Sequence, residues 1–215
     1  IYFAIRGERF NGNDFAGAAL EKGARFAVVD EPGLKGKKDM IFVPDALETL
    51  QKLASIHREN NPLPMIAITG SNGKTTTKEL MHRVLSKKYK VHATPGNLNN
   101  HIGLPLTILN MSEQSEMLVV EMGANHKGEI RDLCKIADPD YGIITNIGKA
   151  HLEGFGGYDG VIAAKSELYD HIAGKKGKVF VNMGNPLLRK LSEGIDRITY
   201  NTDGTAQVSS VLINE

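Results

Sequence analysis

The sequence predicts an α/β fold in which a small amino-terminal α/β domain precedes a larger domain with a mostly parallel, doubly wound sheet. Short apolar runs alternate along the chain with longer segments of helical spacing, which favours strands joined by crossover helices. A glycine-bounded loop at residues 69–76 stands between one such run and one such segment. Strand, glycine loop and helix in that order are typical of a phosphate loop (P-loop). Ligands of such sheets bind beyond the carboxyl ends of the strands.

The composition is that of an ordinary globular protein. The 215 residues, 23.4 kDa in mass, are 41% hydrophobic and 24% charged, which suits one domain or two with one small. The net charge of +1 gives no electrostatic reason for binding nucleic acid or a membrane surface, and no apolar run approaches the roughly 20 residues of a membrane span. Cys134 is the single cysteine, so an intrachain disulfide is excluded and a reducing cytoplasm is expected.

The amino-terminal segment predicts a small α/β unit. Strand-like runs occupy three short ranges, 1–5, 26–29 and 40–43. Between the first two, residues 14–22 are rich in alanine, leucine and glutamate and predict a short helix. A longer helix is predicted over residues 44–60, where leucines and alanines trace one face.

A break in the pattern at residues 60–64 separates two predicted domains. The sequence there is Asn-Asn-Pro-Leu-Pro, and prolines and asparagines at this density interrupt both helix and strand. We therefore expect one domain over residues 1–62 and a second over residues 63–215.

The second domain shows a strand–helix alternation from residue 65 onward. Strands are predicted, after the one at residue 65, at 89–94, 116–121, 141–146 and 178–182, and helices at 75–86, 104–110, 128–137 and 159–173. The chain begins with Ile1 inside an apparent strand, without an initiator methionine, and residues 208–215 also resemble a strand. We therefore expect a fragment cut at both ends, with the second domain incomplete.

The predicted phosphate loop supplies most of the candidate ligand contacts. Its glycines allow backbone N–H groups to converge on phosphate oxygens, and the following helix adds partial positive charge. Lys74 is placed to reach the β- and γ-phosphates, and the Thr75 hydroxyl to ligate Mg²⁺. Ile68 occupies the first-glycine position of the general motif, so the loop is a narrower variant. The predicted contact residues are Gly70, Ser71, Asn72, Gly73, Lys74, Thr75 and Thr76.

Glu121 is the strongest candidate for a second Mg²⁺ ligand. It follows the apolar run 117–120 and precedes Met122 and Gly123, so it stands at the carboxyl end of a predicted strand. The alternative is an ordinary surface or helix-capping carboxylate.

The phosphate loop resembles that of the Mur ligases, and four further segments resemble the MurF branch of that family. These segments are residues 3–15, 96–105, 120–126 and 145–156. The branch joins D-alanyl-D-alanine to UDP-N-acetylmuramoyl-tripeptide with ATP. The resemblance therefore implies that the first domain holds the UDP-sugar and that the second is the central ATPase domain.

The resemblance implies further metal-site residues that the sequence alone does not single out. His151 matches the histidine that binds a second metal ion, and Lys165 matches a carbamoylated lysine. Carbamoylation turns a cation into a carboxylate-like anion that can approach Mg²⁺. Without the resemblance, His151 would be assigned a structural role and Lys165 a solvated helix position. His126 is expected only to line the site.

The resemblance also implies substrate contacts in two loops. Asn97, Asn99 and Asn100 match the loop that contacts the acceptor substrate near the γ-phosphate, and which of the three does so stays open. In the first domain Arg6, Asn11 and Asp14 lie in the loop expected to hold uridine diphosphate. Arg6 or Arg9 is available there to pair with the diphosphate.

The implied enzyme is a cytoplasmic, monomeric amide ligase that uses ATP and two Mg²⁺ ions. Lys74, Glu121, His151 and Lys165 are its expected catalytic residues. Complete members of the family carry a third domain, which these 215 residues do not contain. Two alternatives are another ligase of the family, such as one that adds the third peptide residue or glutamate to folate, and a non-catalytic nucleotide-binding module. The segments 3–15 and 97–100 argue against the other ligases, and intact Lys74, Thr75, Glu121 and His151 argue against the module.

Overall fold

The computed structural model describes residues 1–149 and 151–209. The amino-terminal part contains, in chain order, β1 (Tyr2–Phe3), β2 (Arg6–Gly7), β3 (Phe10–Asn11), α1 (Ala16–Glu21), β4 (Ala27–Val29), β5 (Met40–Phe42) and α2 (Ala46–Asn60), with 3₁₀ helices at Gly12–Phe15 and Pro32–Leu34. β1, β4 and β5 form a parallel sheet in that order, and β2 pairs with β3 in a short antiparallel hairpin. Of the strand predicted over residues 1–5 only Tyr2–Phe3 forms, and the hairpin that follows it was not predicted.

The larger part contains β6 (Met65–Thr69), α3 (Lys74–Leu85), β7 (Val91–Ala93), α4 (Gly103–Leu109), β8 (Met117–Glu121), α5 (Glu129–Ala137), β9 (Tyr141–Ile144), α6 (Leu152–Phe155), α7 (Tyr158–Gly174), β10 (Lys178–Asn182), α8 (Pro186–Leu191), β11 (Asp196–Asn201) and β12 (Val208–Ser209). Its sheet has the order β12-β11-β10-β9-β6-β8-β7, and every pairing is parallel. The predicted α/β fold with a mostly parallel sheet is confirmed.

β6 shows why the larger sheet is covered on both faces. All five of its residues are buried, as expected for a central parallel strand. Met65 and Ala67 point into the core formed with α4, α5 and α7, whereas Ile66 and Ile68 pack against the α3 side of the sheet. Ile68 is thus a core residue of the strand, and the first glycine of the phosphate loop, Gly70, lies two residues after it.

α2 packs against α4 and α5 of the larger part. Asp45 starts the helix by accepting a hydrogen bond from the Glu48 N–H at 2.7 Å. Near its end Arg58, which is 5% exposed, donates to the Ala137 carbonyl at 3.0 Å and to Asp140 at 3.2 Å. The helix lies in the predicted first domain, and the division at residue 62 stays a prediction.

Several elements were absent from the sequence prediction. α6, α8 and β11 have no counterpart there, because α6 and α8 are shorter than two helical turns and β11 contains no continuous apolar run. The predicted carboxyl-terminal strand is represented by β12, and residues 210–215 lie outside the described part of the chain. Within residues 1–149 and 151–209, no helix is long and apolar enough to cross a bilayer.

Candidate functional site

The phosphate loop joins β6 to α3 and depends on two glycines with positive φ. Gly70 has φ +143° and Gly73 has φ +78°. A Cβ atom on Gly70 would lie 2.0 Å from the Thr145 Oγ1 atom, whereas one on Gly73 would meet nothing within 4 Å. Gly70 is therefore required both by its backbone conformation and by the space around it.

The segment that follows β9 braces this loop from the neighbouring strand. Asn146 exchanges two hydrogen bonds with the Asn72 backbone, donating from Nδ2 at 2.9 Å and accepting on Oδ1 at 3.1 Å. The Thr145 hydroxyl donates to the same Asn72 carbonyl at 2.6 Å. The Gly148 N–H donates to the Ser71 hydroxyl at 2.9 Å. The loop is thus held from one side by residues 145–148.

Sequence reasoning assigned no role to Thr145 or Asn146. The missing information was the strand order, because only the sheet places β9 beside β6. A polar Thr-Asn pair directly after a buried strand was the available signal, and it is as common in ordinary turns.

Lys74, the first residue of α3, lies over the phosphate loop. Its ammonium donates to the Gly70 carbonyl at 2.9 Å and to the Ser71 carbonyl at 3.3 Å. The half-buried side chain lines two cavities at the carboxyl end of the sheet. Both Lys74 partners are neutral carbonyl oxygens, so the lysine charge is available to an anion in these cavities.

Thr75 and Glu121 meet at the end of β8. The Thr75 hydroxyl donates to Glu121 Oε2 at 2.8 Å. Glu121 is 1% exposed, and its Oε1 atom accepts from Asn99 Nδ2 at 2.7 Å. The Glu121 N–H donates to the Thr94 hydroxyl at 2.9 Å, which fixes the backbone as well. A buried carboxylate held in this way presents oxygen atoms, which are the ligands Mg²⁺ prefers.

The three candidate asparagines occupy different positions. Asn99 contacts Glu121 through its side chain and accepts from the Gly123 N–H at 2.8 Å through its carbonyl. The Asn100 side chain accepts from the N–H groups of Ile102 and Gly103 and so caps the start of α4. Asn97 is exposed. Asn99 is therefore the one whose side chain contacts the candidate metal ligand.

Lys165 is buried rather than solvated. Only 3% of it is exposed, and its ammonium nitrogen lies 5.4 Å from the centre of the Phe155 ring. Burial, and then the nearby charge of Lys74, lowers the pKa of Lys165 from 10.5 to about 8, against the opposing effect of Glu129 and Glu167. The solvated alternative for Lys165 is therefore wrong.

The two histidines differ in their position: His151 lines both cavities beside the phosphate loop, whereas His126, which was expected to line the site, is not among the residues that line either one. His151 is exposed, has φ +53° and stands immediately before α6. His126 is exposed too, and its Nδ1 atom lies 3.1 Å from Glu129 Oε1. His151 borders the same small cavity as Lys74 and Lys165, so the structure brings three predicted site residues together.

Two cavities adjoin the phosphate loop. One has a volume of about 280 Å³ and is lined by Lys74, Asn99, Asn100, His101, Gly123, Ala124, Asn125, Glu129 and His151. The other holds about 30 Å³ and is lined by Gly70, Ser71, Lys74, Ala124, His151, Phe155 and Lys165. Across residues 1–149 and 151–209 no three His, Cys, Asp or Glu side chains converge as a metal cluster. One carboxylate and one hydroxyl fit Mg²⁺, which commonly keeps waters and phosphate oxygens as further ligands.

In the candidate uridine diphosphate loop, the charge of Arg6 is paired with two carboxylates that follow β4. Arg6 donates to Asp30 at 3.0 Å and to Glu31 at 2.9 Å. The Asn11 side chain accepts from the Asn13 N–H at 3.1 Å and starts the 3₁₀ helix. Asp14 is exposed on that helix.

Comparison with known families identifies the larger part of the chain. Residues 68–213, more than half of the sequence, match the profile of the Mur ligase middle domain. This chain belongs to the Mur ligase family. The match begins in β6 and includes the phosphate loop, Glu121 and Lys165, so the predicted family resemblance is confirmed.

Similar proteins extend the match to the amino-terminal part. The UDP-N-acetylmuramoyl-tripeptide--D-alanyl-D-alanine ligase of Bacillus subtilis (strain 168) is 40% identical over 204 residues, which are 94% of this chain and 44% of that protein. The MurF ligase of Thermotoga maritima, solved in complex with ADP, superposes with a TM-score of 0.83 at 37% identity and covers 94% of this chain and 47% of that one. A MurF structure from Acinetobacter baumannii also gives 0.83, at 37% identity and with 94% and 44% coverage. The chain spans less than half the length of these relatives.

Proposed function

We propose that this chain is part of an ATP-dependent ligase that adds D-alanyl-D-alanine to UDP-N-acetylmuramoyl-tripeptide in peptidoglycan precursor synthesis. The names of the relatives support the substrates, and the ADP in the Thermotoga maritima structure supports a nucleotide at the phosphate loop. The single observation that carries the proposal is the 2.8 Å contact between the Thr75 hydroxyl and the buried Glu121 carboxylate. It joins the phosphate loop to a hard oxygen donor from the next strand.

The proposed reaction has two steps. The terminal carboxylate of the peptide first attacks the γ-phosphorus of ATP, which forms an acyl phosphate and releases ADP. The neutral amino group of D-alanyl-D-alanine then attacks the acyl carbon, the C–O bond to phosphate breaks, and the nitrogen loses one proton as the amide forms and phosphate leaves. Carboxylate and γ-phosphate repel each other, so the protein must supply positive charge and alignment.

The residues of the phosphate loop meet that requirement. Lys74 supplies an ammonium at the start of α3, and the loop N–H groups add partial positive charge. Mg²⁺, held by Thr75 and Glu121, would supply further positive charge against the phosphate oxygens. Asn99 orients Glu121 through its hydrogen bond, so the loop expected to contact the acceptor substrate lies beside the candidate metal ligand.

Lys165 and His151 are proposed to hold a second Mg²⁺ after carbamoylation of the lysine. The neutral Lys165 amine would attack the carbon of CO₂, form a C–N bond and lose one proton to solvent, which leaves a carbamate anion. A lysine whose pKa is about 8 is neutral far more often near neutral pH than an ordinary lysine. The change from cation to anion would also remove the repulsion from Lys74.

The first domain is proposed to bind the UDP-sugar through the loop that contains Arg6, Asn11 and Asp14. Arg6 would turn from the exposed carboxylate of Glu31 toward the diphosphate, since a guanidinium can contact both kinds of group. D-alanyl-D-alanine is proposed as the second substrate, and the active enzyme as a cytoplasmic monomer.

The proposal is tested by Glu121→Gln, which keeps the shape of the side chain and removes its charge. ADP binding to this chain is measured by calorimetry with and without Mg²⁺. We expect Mg²⁺ to strengthen ADP binding in the wild type but not in Glu121→Gln, whereas the exposed control Glu113→Gln behaves as wild type. In the full gene product, Glu121→Gln should also abolish the release of phosphate that is measured when ATP, the UDP-sugar peptide and D-alanyl-D-alanine are supplied together. Equal Mg²⁺ dependence in wild type and Glu121→Gln would contradict the assignment.

A further inference from the structure

Lys78 is a fully buried lysine that the proposed reaction does not use. It lies on α3, one turn after Lys74, and is 0% exposed. Its ammonium donates to the Thr94 carbonyl at 2.7 Å and to the Gly96 carbonyl at 3.1 Å, and it lies 2.9 Å from the half-exposed carboxylate of Glu79. An ammonium has three protons, and these three oxygens account for all of them.

Such a group is costly to bury, so its partners matter. An ammonium taken out of water destabilises the fold by several kcal/mol unless it is paired and hydrogen-bonded. An apolar side chain would fill the same space without that cost. We therefore expect the ammonium to fix its hydrogen-bond acceptors in place, which an apolar side chain could not do.

The two carbonyls belong to the connection between β7 and α4. Thr94, 2% exposed, accepts the Glu121 N–H on its hydroxyl, so it already contacts the candidate metal ligand. Gly96 has φ +53° and starts the segment that leads to Asn99. Asn99 donates to Glu121 at 2.7 Å. Two routes therefore connect α3 to Glu121, one through Thr94 and one through the segment from Gly96 to Asn99. Lys78 binds a carbonyl oxygen in each route.

We propose that Lys78 is a positioning residue that locks residues 94–99 onto α3. In this way Asn99 and Glu121 keep a fixed position relative to Thr75. The loop expected to meet the acceptor substrate then moves together with the phosphate loop rather than independently of it. The proposal has a structural half, that Lys78 holds residues 94–99 in place, which needs only the contacts above. Its functional half, that Lys78 thereby supports Mg²⁺ binding at Thr75 and Glu121, rests on the proposed function.

The structural half is tested by hydrogen exchange on the ligand-free chain. The reporter is the Gly123 N–H, which donates to the Asn99 carbonyl at 2.8 Å. Lys78→Met has a similar length and no charge, and we expect its Gly123 amide to exchange roughly tenfold faster, since the hydrogen bonds to a charged donor are lost. Lys87→Met, at an exposed lysine just after the end of α3, is the matched control and should exchange as wild type. Unchanged exchange at Gly123 in Lys78→Met would overturn the proposal.

The functional half is tested by a double-mutant cycle on Mg²⁺-dependent ADP binding. Lys78→Met should weaken the Mg²⁺ effect roughly tenfold in the wild-type background and less in an Asn99→Ala background, because one of its two routes to Glu121 passes through Asn99. Equal losses in both backgrounds would mean a general structural role and would overturn the inference. Lys78→Gln keeps a neutral donor and should give an intermediate loss, which provides a second variant if Lys78→Met does not fold. A wild type that binds no ADP would instead contradict the proposed function.

Discussion

The charged side chains have different neighbours in two regions, the edge of the large sheet where its strands end and the amino-terminal loop of residues 6–14. At the sheet edge, burial and then the nearby charge of Lys74 lower the pKa of Lys165. In the amino-terminal loop, Arg6 is matched by two carboxylates, Asp30 and Glu31. Like charges beside a cavity favour an anionic ligand, whereas matched charges stabilise the loop itself. The difference shows that a sequence motif identifies candidate residues, whereas the charges around those residues determine which ligands they can bind.

The hydrogen-bond partners differ in the same way. At the sheet edge the side chains of Thr145 and Asn146 bond to the backbone of another loop, which fixes the phosphate loop from outside. In the amino-terminal loop Asn11 bonds to Asn13, two residues away. The phosphate loop is thus held by side chains that follow the neighbouring strand, whereas the amino-terminal loop combines this local bond with bonds from Arg6 and Asn13 to the carboxylates that follow β4.

The largest expected effect comes from Gly70→Ala at the sheet edge. The new Cβ would lie 2.0 Å from Thr145 Oγ1 at a backbone φ of +143°, so the loop and its brace must separate. Overpacking typically costs about 1–3 kcal/mol and the unfavourable φ about 1–2 kcal/mol more. We expect lost ADP binding and a clear fall in the thermal midpoint.

Gly36→Ala is the matched control for that change. Gly36 has φ +79°, and a Cβ atom added there would meet nothing within 4 Å, so only the backbone strain applies. We expect a loss of about 1 kcal/mol by chemical denaturation and unchanged ADP binding. Equal losses in the two variants would show that the contact with Thr145 does not constrain the loop.

Asn146→Ala tests the brace without a steric clash. It removes both side-chain bonds to Asn72 and leaves the backbone bond from Ser71 N–H to the Asn146 carbonyl in place. We expect roughly tenfold weaker ADP binding, measured by calorimetry, because the loop loses its fixed shape. Asn110→Ala removes one exposed bond to Leu106 and should leave ADP binding unchanged. Wild-type affinity in Asn146→Ala would show that the brace is dispensable.

Lys165→Met tests the sheet edge through pH, because burial and then the charge of Lys74 lower the pKa of Lys165. The folded pKa of about 8 lies below the ordinary 10.5, so folded Lys165 releases its proton at a lower pH than the unfolded chain. The unfolded state then binds more protons between these values, and stability rises with pH across that window. In CO₂-free buffer we expect Lys165→Met to be more stable than wild type at pH 7, with the difference shrinking toward pH 10. A difference independent of pH, followed by thermal denaturation, would contradict this.

Asp30→Asn tests the matched side, where the smallest effect is expected. Burial raises the pKa of Asp30, but hydrogen bonds from Asn13, from the Ala46 N–H and from Arg6 outweigh it, so the pKa lies below 3.8. The stabilisation is therefore complete above the unfolded value and is lost as the pH falls through the folded one. We expect the thermal midpoints of wild type and Asp30→Asn to differ modestly at pH 7 and to converge as the pH falls below 3.8 and through the lowered pKa of folded Asp30. A gap that persists at low pH would exclude this ionic contribution.

The sequence predicted the fold and the meeting of Thr75 with Glu121 because both follow from one rule. Adjacent parallel strands end at the same edge, so a hydroxyl after β6 and a carboxylate at the end of β8 come together once these strands are neighbours. The brace from Asn146 needed the position of β9, which no local pattern reveals. Lys78 was missed for a related reason: a lysine on a helix is almost always solvated, and only the path of residues 94–96 buries it.

The central claim is that the phosphate loop binds ADP and that Lys74 contributes to this binding. Its most direct test is a measurement of ADP affinity. Calorimetry with ADP and Mg²⁺ is carried out on this chain and on Lys74→Ala, with thermal denaturation as the measure of folding. We predict one ADP site in the wild type, at least about 100-fold weaker binding in Lys74→Ala, and nearly equal thermal midpoints, because the ammonium lies over the loop rather than in the core. Equal ADP affinity in the two proteins would contradict the account.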